Sequence, residues 1–196
     1  MLDLRDCFKY FAGRQGEGVV ITSAGVTSGT WWRTTHDMDQ AFYLGASMSM
    51  ISMFGAGIAM GAPKLPVWVF MGDGAFVMNP GMLMVERDLN LPNLKHFLVS
   101  NRVYNATGAV PLANAKRNDY AGIARAVGIE RVFEIDSLED AGRQHVRVHF
   151  EPNLERSRWI HALPNNLVQA KRVGPELFVT EGLEAKNALA LDDVGG

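Results

Sequence analysis

The stretch LPVWVFMGDG, residues 65–74, decides the fold class of this chain. Its first six residues are rich in branched and aromatic side chains, a composition typical of a buried strand. The strand runs directly into Gly72-Asp73-Gly74, so that a carboxylate between two glycines follows its end. Ligands of open parallel sheets bind at the carboxyl ends of the strands. The stretch therefore predicts a strand that carries Asp73 to a ligand site.

Strands and helices alternate on both sides of this stretch. The predicted strands are Gly18–Thr22, Leu65–Phe70, Leu94–Ser100, Arg131–Ile135 and Glu176–Thr180. The predicted helices are an opening helix that ends at Gly13, then Ser47–Met60, a helix capped by Asn79 that continues to Asn90, Asp119–Val127 and Leu138–Gln144. This order predicts an α/β fold with a mainly parallel sheet of five or six strands and helices on both faces.

Two glycine-rich segments need separate interpretations. Ser23–Asp39 is rich in Gly, Ser and Thr, and we expect a loop there. Ser47–Met60 has almost no polar face, so we expect that helix to be buried on all sides. Its glycines Gly55, Gly57 and Gly61 would then allow another element to approach closely.

Length and composition indicate one soluble globular domain. The chain has 196 residues, of which 47% are hydrophobic and 20% charged, and this fits a single domain over residues 1–196. An excursion at about 145–172 interrupts the alternation before the last strand. The net charge of −2 argues against a nucleic-acid or membrane-surface protein. The first residues lack the apolar core of a signal peptide and Cys7 is the single cysteine, so we expect a cytoplasmic protein.

The residues after two predicted strands have the chemistry of a magnesium–diphosphate site. Asn101 follows Asp73 by 28 positions, with a helix and a strand between, which is the length that brings the next strand end beside the first. Mg²⁺ prefers about six oxygen ligands, and Asp73, Asn101 and a backbone carbonyl near Val103 would supply three. The backbone N–H groups of Gly74 and Ala75 can face phosphate oxygens. By itself, Gly-Asp-Gly is also a common turn.

The motif Gly72-Asp73-Gly74, followed by Asn101, resembles the diphosphate motif of thiamine-diphosphate enzymes. In that family the motif ends in two asparagines, whereas this chain has Ser100-Asn101. A backbone carbonyl two residues further on is the third metal ligand of the family, and it falls on Val103. The resemblance implies the thiamine-diphosphate-binding fold, with Mg²⁺ and thiamine diphosphate bound by these residues.

A second block, residues 42–50, is similar to the Gly-Ser-Met-Gly segment of the decarboxylase branch of this family. Here the segment reads Gly-Ala46-Ser47-Met48. The resemblance implies that Ala46, Ser47 and Met48 bind the cofactor, and that Met48 has a catalytic role because it props the cofactor into a bent shape. On the residues alone, a core methionine is the favoured interpretation of Met48.

Two more segments extend the resemblance. Ser23-Ala24-Gly25 occupies the position of a cofactor-binding loop whose glycine carbonyl accepts a hydrogen bond from the 4′-amino group of the cofactor. The stretch 101–108, including Tyr104 as a cofactor contact, looks most like the diphosphate-binding halves of sulfopyruvate and phosphonopyruvate decarboxylases. The implied reaction is the non-oxidative decarboxylation of a 2-oxo acid.

The glutamate that activates the cofactor in this family has no counterpart in the sequence. In the family it belongs to a separate pyrimidine-binding domain. We therefore expect a second subunit that carries this domain, and a hetero-oligomer with two or more copies of each chain. His36 stands beside Asp37 in the loop-like segment and is a further candidate acid or base.

Two alternatives share the same binding residues. One is a carboligase subunit, in which the activated cofactor adduct attacks a second carbonyl group. The other is a module of the same fold that binds without turnover. Retention of both Asp73 and Asn101 favours an active enzyme over the second alternative.

Overall fold

A computed structural model describes residues 3–135, residue 137 and two further strands near the C-terminus. The helices are α1 (Leu4–Ala12), α2 (Val26–Thr35), α3 (Ile51–Gly61), α4 (Asp73–Met78), α5 (Met82–Leu89) and α6 (Tyr120–Ala126). The strands are β1 (Val19–Ser23), β2 (Ala41–Leu44), β3 (Val67–Gly72), β4 (Leu94–Val99), β5 (Val103–Tyr104), β6 (Val110–Pro111), β7 (Arg131–Glu134), β8 (Arg158–Trp159) and β9 (Glu176–Glu181).

Six strands of the described chain form a parallel sheet in the order β2-β1-β3-β4-β9-β7. The short strand β8 pairs antiparallel with β9, and β5 and β6 form a separate hairpin. Because β1, β3 and β4 are neighbours and parallel, their carboxyl ends meet at one edge of the sheet. The predicted α/β class and the parallel sheet are confirmed.

The two faces of the sheet carry different side chains. Helices α1 and α2 cover one face with an aromatic cluster in which Phe8, Trp31, Phe70 and Phe97 pack together. Helices α3, α5 and α6 cover the other face with mainly aliphatic residues and methionines. The expectation of helices on both faces is therefore confirmed. The alternation of side chains along β3 and β4 supplies both clusters.

Helix α2 replaces the loop that the sequence predicts for Ser23–Asp39. Gly, Ser and Thr are weak helix formers, so the local pattern indicates a loop. In the fold, Trp31 is fully buried against Phe8 and Phe70, and this packing holds the helix in place. The prediction of a loop is wrong because tertiary burial overrides a weak local preference.

The helix predicted at Ser47–Met60 is confirmed in position, with a 3-10 turn before α3, but it is not buried on all sides. Phe54 and Met60 are exposed on its outer face. Among its glycines, Gly55 packs so closely against β3 that an added Cβ would collide with Val69. The expected close approach at Gly57 and Gly61 is wrong, since both face open space.

The segment after β3 also differs from the prediction. Asp73 begins a helix, α4, and Asn79 ends it, with the Asn79 backbone N–H donating to the Phe76 carbonyl at 3.0 Å. The helix predicted to start at Asn79 begins later, at Met82, with Gly81 as its N-cap residue. Strand β2 was not predicted from the sequence either. It is only four residues long and is followed by a glycine and the Gly-rich helix, so its strand pattern is too short to stand out.

The other predicted elements are confirmed within the described residues, apart from end shifts of a few residues. Helix 138–144 and most of the excursion at about 145–172 lie outside those residues, and the prediction of a single domain over 1–196 stays a prediction. The described part of the chain has no helix long and apolar enough to cross a membrane.

Candidate cofactor site

A cavity of about 380 Å³ opens at the carboxyl ends of β1, β3 and β4. It contains eleven of the thirteen residues predicted to bind the cofactor: Ser23, Ala24, Gly25, Met48, Gly72, Asp73, Gly74, Ala75, Asn101, Val103 and Tyr104. These residues come from four separate stretches of sequence. The parallel sheet brings them together because successive strand ends lie at the same edge.

Asp73 occupies an enclosed position at one end of the cavity. The residue is 2% exposed, and its Oδ2 accepts hydrogen bonds from the Ser100 hydroxyl at 2.6 Å and the Arg102 backbone N–H at 2.7 Å. Its Oδ1 accepts from the Gly74 backbone N–H at 2.9 Å. We call Asp73, Gly74, Ser100, Asn101 and the Arg102 backbone the Asp73 end of the cavity.

Burial raises the pKa of the Asp73 carboxyl from 3.8 to about 6. The hydrogen bonds from Ser100, Arg102 and Gly74 and the positive charge of Arg102 act in the opposite direction, but they do not offset desolvation. The Arg102 guanidinium itself donates to the carbonyls of Ala115 and Asn118 at 3.0 and 2.7 Å. A cation bound at the carboxylate would compensate the buried charge and lower this pKa.

Ser100 explains how the chain tolerates its departure from the family motif. The serine stands where the resemblance expects asparagine, and its hydroxyl orients the Asp73 carboxylate directly. The next residue, Asn101, folds its side chain back so that Oδ1 accepts the Val103 N–H at 3.1 Å. This local turn directs Asn101 into the cavity beside Asp73.

The β5–β6 hairpin lies over the Asp73 end. Val103 is paired in register with Pro111, which has no N–H to donate to the Val103 carbonyl. The Tyr104 ring packs directly on Gly74, where an added Cβ would lie 2.8 Å from Cδ1 of the ring. Glycine at position 74 is therefore required for the close approach of the hairpin to α4.

The loop after β1 is tied to the Asp73 end by a hydroxyl. The Ser23 Oγ accepts the Gly72 backbone N–H at 3.1 Å and shares a hydrogen bond with the Thr27 hydroxyl at 2.8 Å. Gly25 has a φ of 97°, a conformation that favours glycine, and its carbonyl accepts the N–H of Gly29 at the start of α2. Ala24 lies between them on the cavity surface.

Only part of the predicted cofactor-binding segment Gly-Ala46-Ser47-Met48 lines the cavity. Ser47 adopts a left-handed conformation, with a φ of 59°, immediately before the 3-10 turn. Met48 is the first residue of this turn, lines the cavity and also packs against the aliphatic cluster. Ala46 and Ser47 are exposed and do not line the cavity. Met48 thus combines the two roles that the sequence left open, as a wall of the cavity and a neighbour of the core.

His36, the candidate acid or base, is not brought to the cavity. It ends α2 with a φ of 51°, and its exposed ring packs edge-on against Trp32 at 5.1 Å. Helix α2 begins at the cavity, so its last residue lies away from the Asp73 end. The role of His36 stays a prediction, and no contact of the described residues supports it.

Several lining residues were not predicted from the sequence. Arg5 of α1, together with Thr27, Thr30 and Arg33 of α2, forms a second side of the cavity. With Asp3, these residues make up what we call the α1–α2 wall. Positions 26, 30 and 33 are three or four residues apart, a spacing that places their side chains on one face of a helix. The spacing is informative only if α2 is recognised as a helix.

The Asp73 end fits a hard divalent cation and a diphosphate. It offers one buried carboxylate, the amide group of Asn101 and the backbone of Val103, and oxygen ligands of this kind suit Mg²⁺. The buried charge of Asp73 has no ion pair with a cationic side chain among the described residues.

Comparison with known proteins agrees with this arrangement. Phosphonopyruvate decarboxylase from Streptomyces hygroscopicus is 32% identical over 121 residues, which are 62% of this chain and 29% of that protein. Sulfopyruvate decarboxylase subunit beta from Methanocaldococcus jannaschii is 27% identical over 136 residues, 69% of this chain and 71% of that subunit. The chain thus spans less than a third of the first relative.

Solved structures share the fold. The thiamine diphosphate-dependent 4-hydroxybenzoylformate decarboxylase from Rhodococcus jostii RHA1 superposes with a TM-score of 0.52 and 19% identity, covering 65% of this chain and 26% of that one. Residues 25–152 match the family model described as thiamine pyrophosphate enzyme, C-terminal TPP binding domain. This range contains the Asp73 end, Met48 and the β5–β6 hairpin. The chain therefore belongs to the thiamine pyrophosphate enzyme family and corresponds to the C-terminal TPP-binding domain of that family.

Proposed function

We propose that this chain is the diphosphate- and Mg²⁺-binding part of a thiamine-diphosphate-dependent decarboxylase that acts on a 2-oxo acid. The observation that carries the proposal is the Asp73 end of the cavity. There a buried carboxylate is held by Ser100 and the Arg102 backbone, with Asn101 beside it, at the strand ends where this family binds its cofactor.

In this proposal the Asp73 carboxylate, the Asn101 side-chain oxygen and the Val103 carbonyl hold Mg²⁺. The backbone N–H groups at the start of α4, including that of Ala75, face the diphosphate. Ser100 keeps the Asp73 carboxylate in one orientation, so that little reorganisation is needed when the ion binds. Asp73 must be ionised to hold the ion, and its raised pKa makes binding weaken below about pH 6.

The other predicted residues would position the organic part of the cofactor. Thiamine diphosphate supplies a ring that accepts the electrons released when carbon dioxide leaves the substrate. Met48 would support that ring from the side of the aliphatic cluster, while Ser23, Ala24 and Gly25 contact the neighbouring ring. Tyr104 and its hairpin would exclude water from the diphosphate.

The substrate class is taken from the names of the relatives. Two of them are decarboxylases of phosphonopyruvate and sulfopyruvate, 2-oxo acids that carry a second acidic group. We propose a substrate of this type. A carboligase would use the same residues, and analysis of the product distinguishes the two, since a carboligase forms a new carbon–carbon bond.

A second polypeptide or domain would complete the site. The buried glutamates of the described chain, Glu86 and Glu134, bond to His96 and Arg125 and do not line the cavity. Three relatives are named subunit beta, which supports a partner subunit that supplies the activating glutamate. The exposed side chains of Phe42, Met50 and Phe54 offer an apolar surface that this partner can cover.

Reconstitution tests the proposal. The purified chain is assayed for release of carbon dioxide from phosphonopyruvate and sulfopyruvate, with thiamine diphosphate and Mg²⁺, alone and with a candidate partner. We expect no turnover from the chain alone and turnover with the partner. The reconstituted pair should lose activity when the partner's activating glutamate is replaced by glutamine. Equal turnover by the chain alone would refute the need for a partner, and no turnover with any 2-oxo acid would refute the decarboxylase.

A further inference from the structure

The α1–α2 wall carries two arginines on the cavity. Arg5 comes from the first turn of α1 and Arg33 from the last turn of α2, and both lie among the lining residues. These helices pack side by side on the aromatic face of the sheet. Two positive charges from different helices therefore face one cavity, although neither belongs to the family motif.

Arg33 is directed towards the cavity by the helix that carries it. Long side chains on a helix lean towards its N-terminus, and the N-terminus of α2 lies at the cavity. Gly29, one turn earlier, leaves space for this, since a Cβ added there would lie 3.6 Å from Nη1 of Arg33. The guanidinium is thus folded back along the helix over Gly29, and the Thr30 side chain lines the cavity beside it.

The two guanidinium groups have no acidic partner within the described residues. Neither Arg5 nor Arg33 forms an ion pair with Asp or Glu there. Asp3 is the acidic residue of this wall, but its Oδ1 caps α1 by accepting the N–H groups of Arg5 and Asp6 at 2.8 and 3.2 Å. The wall therefore presents unused donors.

These donors suit an oxyanion more than any other small group. Arginine binds phosphonate, sulfonate and carboxylate groups through paired N–H donors, and it keeps its charge at all relevant pH values. The Asp73 end already provides, with Mg²⁺, for the charge of a diphosphate. A second anionic group in the same cavity would need positive charge elsewhere, and the α1–α2 wall supplies it.

We infer that Arg33 and Arg5 bind the second acidic group of the substrate, the phosphonate or sulfonate remote from the 2-oxo acid. This inference rests on the proposed function and assigns substrate discrimination to the α1–α2 wall. The two arginines distinguish a 2-oxo acid with a second anionic group from one without it, such as pyruvate. Neither residue takes part in the bond-breaking step.

Calorimetry with an unreactive probe tests the assignment directly. The full chain, loaded with Mg²⁺ and thiamine diphosphate, is titrated with 3-phosphonopropionate and with propionate, which lacks the second anionic group. We expect measurable binding of the first probe alone. Arg33→Gln and Arg5→Gln should each weaken it about five- to tenfold, which lies between the loss of an exposed ion pair and the loss of a hydrogen bond to a charged group.

Two further variants separate recognition from general effects. Arg33→Lys keeps the charge without the paired donors and should lose less affinity than Arg33→Gln. Arg117→Gln removes the same charge from an exposed position outside the cavity and should leave binding unchanged. Thermal unfolding of each variant shows whether the fold is retained.

Three results would overturn the inference. The first is that the wild-type chain does not bind 3-phosphonopropionate. The second is that the wild type and both glutamine variants bind it equally. The third is that the variants lose affinity for thiamine diphosphate but not for the probe.

The decarboxylase proposal can fail independently of this inference. If probe binding depends on the arginines but the reconstituted pair releases no carbon dioxide, the anion site stands and the reaction is wrong. If carbon dioxide is released while KM for phosphonopyruvate is unchanged in the variants, the reaction stands and the anion site is wrong.

Discussion

The two sides of the cavity hold their polar groups in opposite ways. At the Asp73 end, the carboxylate is 2% exposed and both of its oxygens accept hydrogen bonds from residues that are themselves fixed by the fold. On the α1–α2 wall, Arg5 and Arg33 are exposed and have no acidic partner among the described residues. A group held from several directions is preorganised for one ligand arrangement, whereas an exposed long side chain can adapt. We therefore place the proposed cofactor site at the Asp73 end and the proposed substrate site at the α1–α2 wall.

The largest effect is expected at the Asp73 end. Asp73→Ala should weaken Mg²⁺-dependent binding of thiamine diphosphate by several hundredfold or more, because removing one partner of a buried charge pair costs about 3–5 kcal/mol. Calorimetry at saturating Mg²⁺ measures the affinity, and Arg33→Gln is the control from the other wall. Comparable losses in the two variants would abolish the distinction between the two sides.

The stability of the metal-free chain should depend on pH through Asp73. Its pKa is raised in the folded state, so the folded chain binds this proton more tightly than the unfolded chain. The resulting stabilisation reaches its full value only below about pH 3, and it is lost as the pH rises through about 6. It corresponds to about 3 kcal/mol in all, with about 2 kcal/mol of it between pH 4 and 7.

Urea unfolding at several pH values, without Mg²⁺ and cofactor, measures this dependence. Asp73→Asn is the control, and the difference between the two pH profiles isolates Asp73 from the other carboxylates. Parallel profiles would show that Asp73 is not the source. Mg²⁺ with thiamine diphosphate should remove the loss of stability near pH 7 in the wild-type chain.

A pair of glycine substitutions compares the tolerance of the two sides. Gly74→Ala places a methyl group against the Tyr104 ring and should lower the free energy of unfolding by about 1–3 kcal/mol. Gly29→Ala, in the first half of α2, meets Arg33 only at an ordinary contact distance and should raise the free energy of unfolding by about 0.5–1 kcal/mol. Denaturant unfolding of both variants gives the signs, and two losses of equal size would show that the sides do not differ in rigidity.

A smaller effect than at Asp73 is expected at Met48, which adjoins the core and the cavity. Met48→Ala should lower turnover of the reconstituted enzyme about tenfold, about 1.4 kcal/mol, with little change in cofactor affinity, because the diphosphate contacts lie elsewhere. Met84→Ala, at an exposed methionine of α5, is the matched control. Unchanged turnover would return Met48 to the role of a packing residue.

The Asp73 end could be predicted because its parts have local signals. A strand of branched residues followed by Gly-Asp-Gly, and a second strand followed by Asn101, are both visible in a single sequence. The separation of 28 positions fits one crossover of a parallel sheet, so adjacency of the two residues followed from topology. The contribution of Ser100 did not follow, because it depends on the direction of one hydroxyl relative to Asp73.

The α1–α2 wall could not be predicted, because its helix was not recognised. The sequence of α2 is weakly helical, and it is held in place by the burial of Trp31 on aromatic residues from α1 and β3. Without that helix, Thr30 and Arg33 have no common face, and Arg5 has no neighbour of the same charge. The exposed face of α3 was missed as well, because hydrophobicity alone does not show which side of a helix is left uncovered.

The sequence by itself determined the parallel α/β architecture and predicted the residues of the proposed metal–diphosphate site, because hydrophobic periodicity, glycine punctuation and crossover length are local properties of the chain. The tertiary structure decided which of these groups are buried and bonded. The raised pKa of Asp73, the close packing of Tyr104 on Gly74 and the two arginines on one wall all depend on contacts between segments that are distant in sequence. Desolvation and steric fit act through such contacts, and they exist only once the sheet has brought the strand ends together.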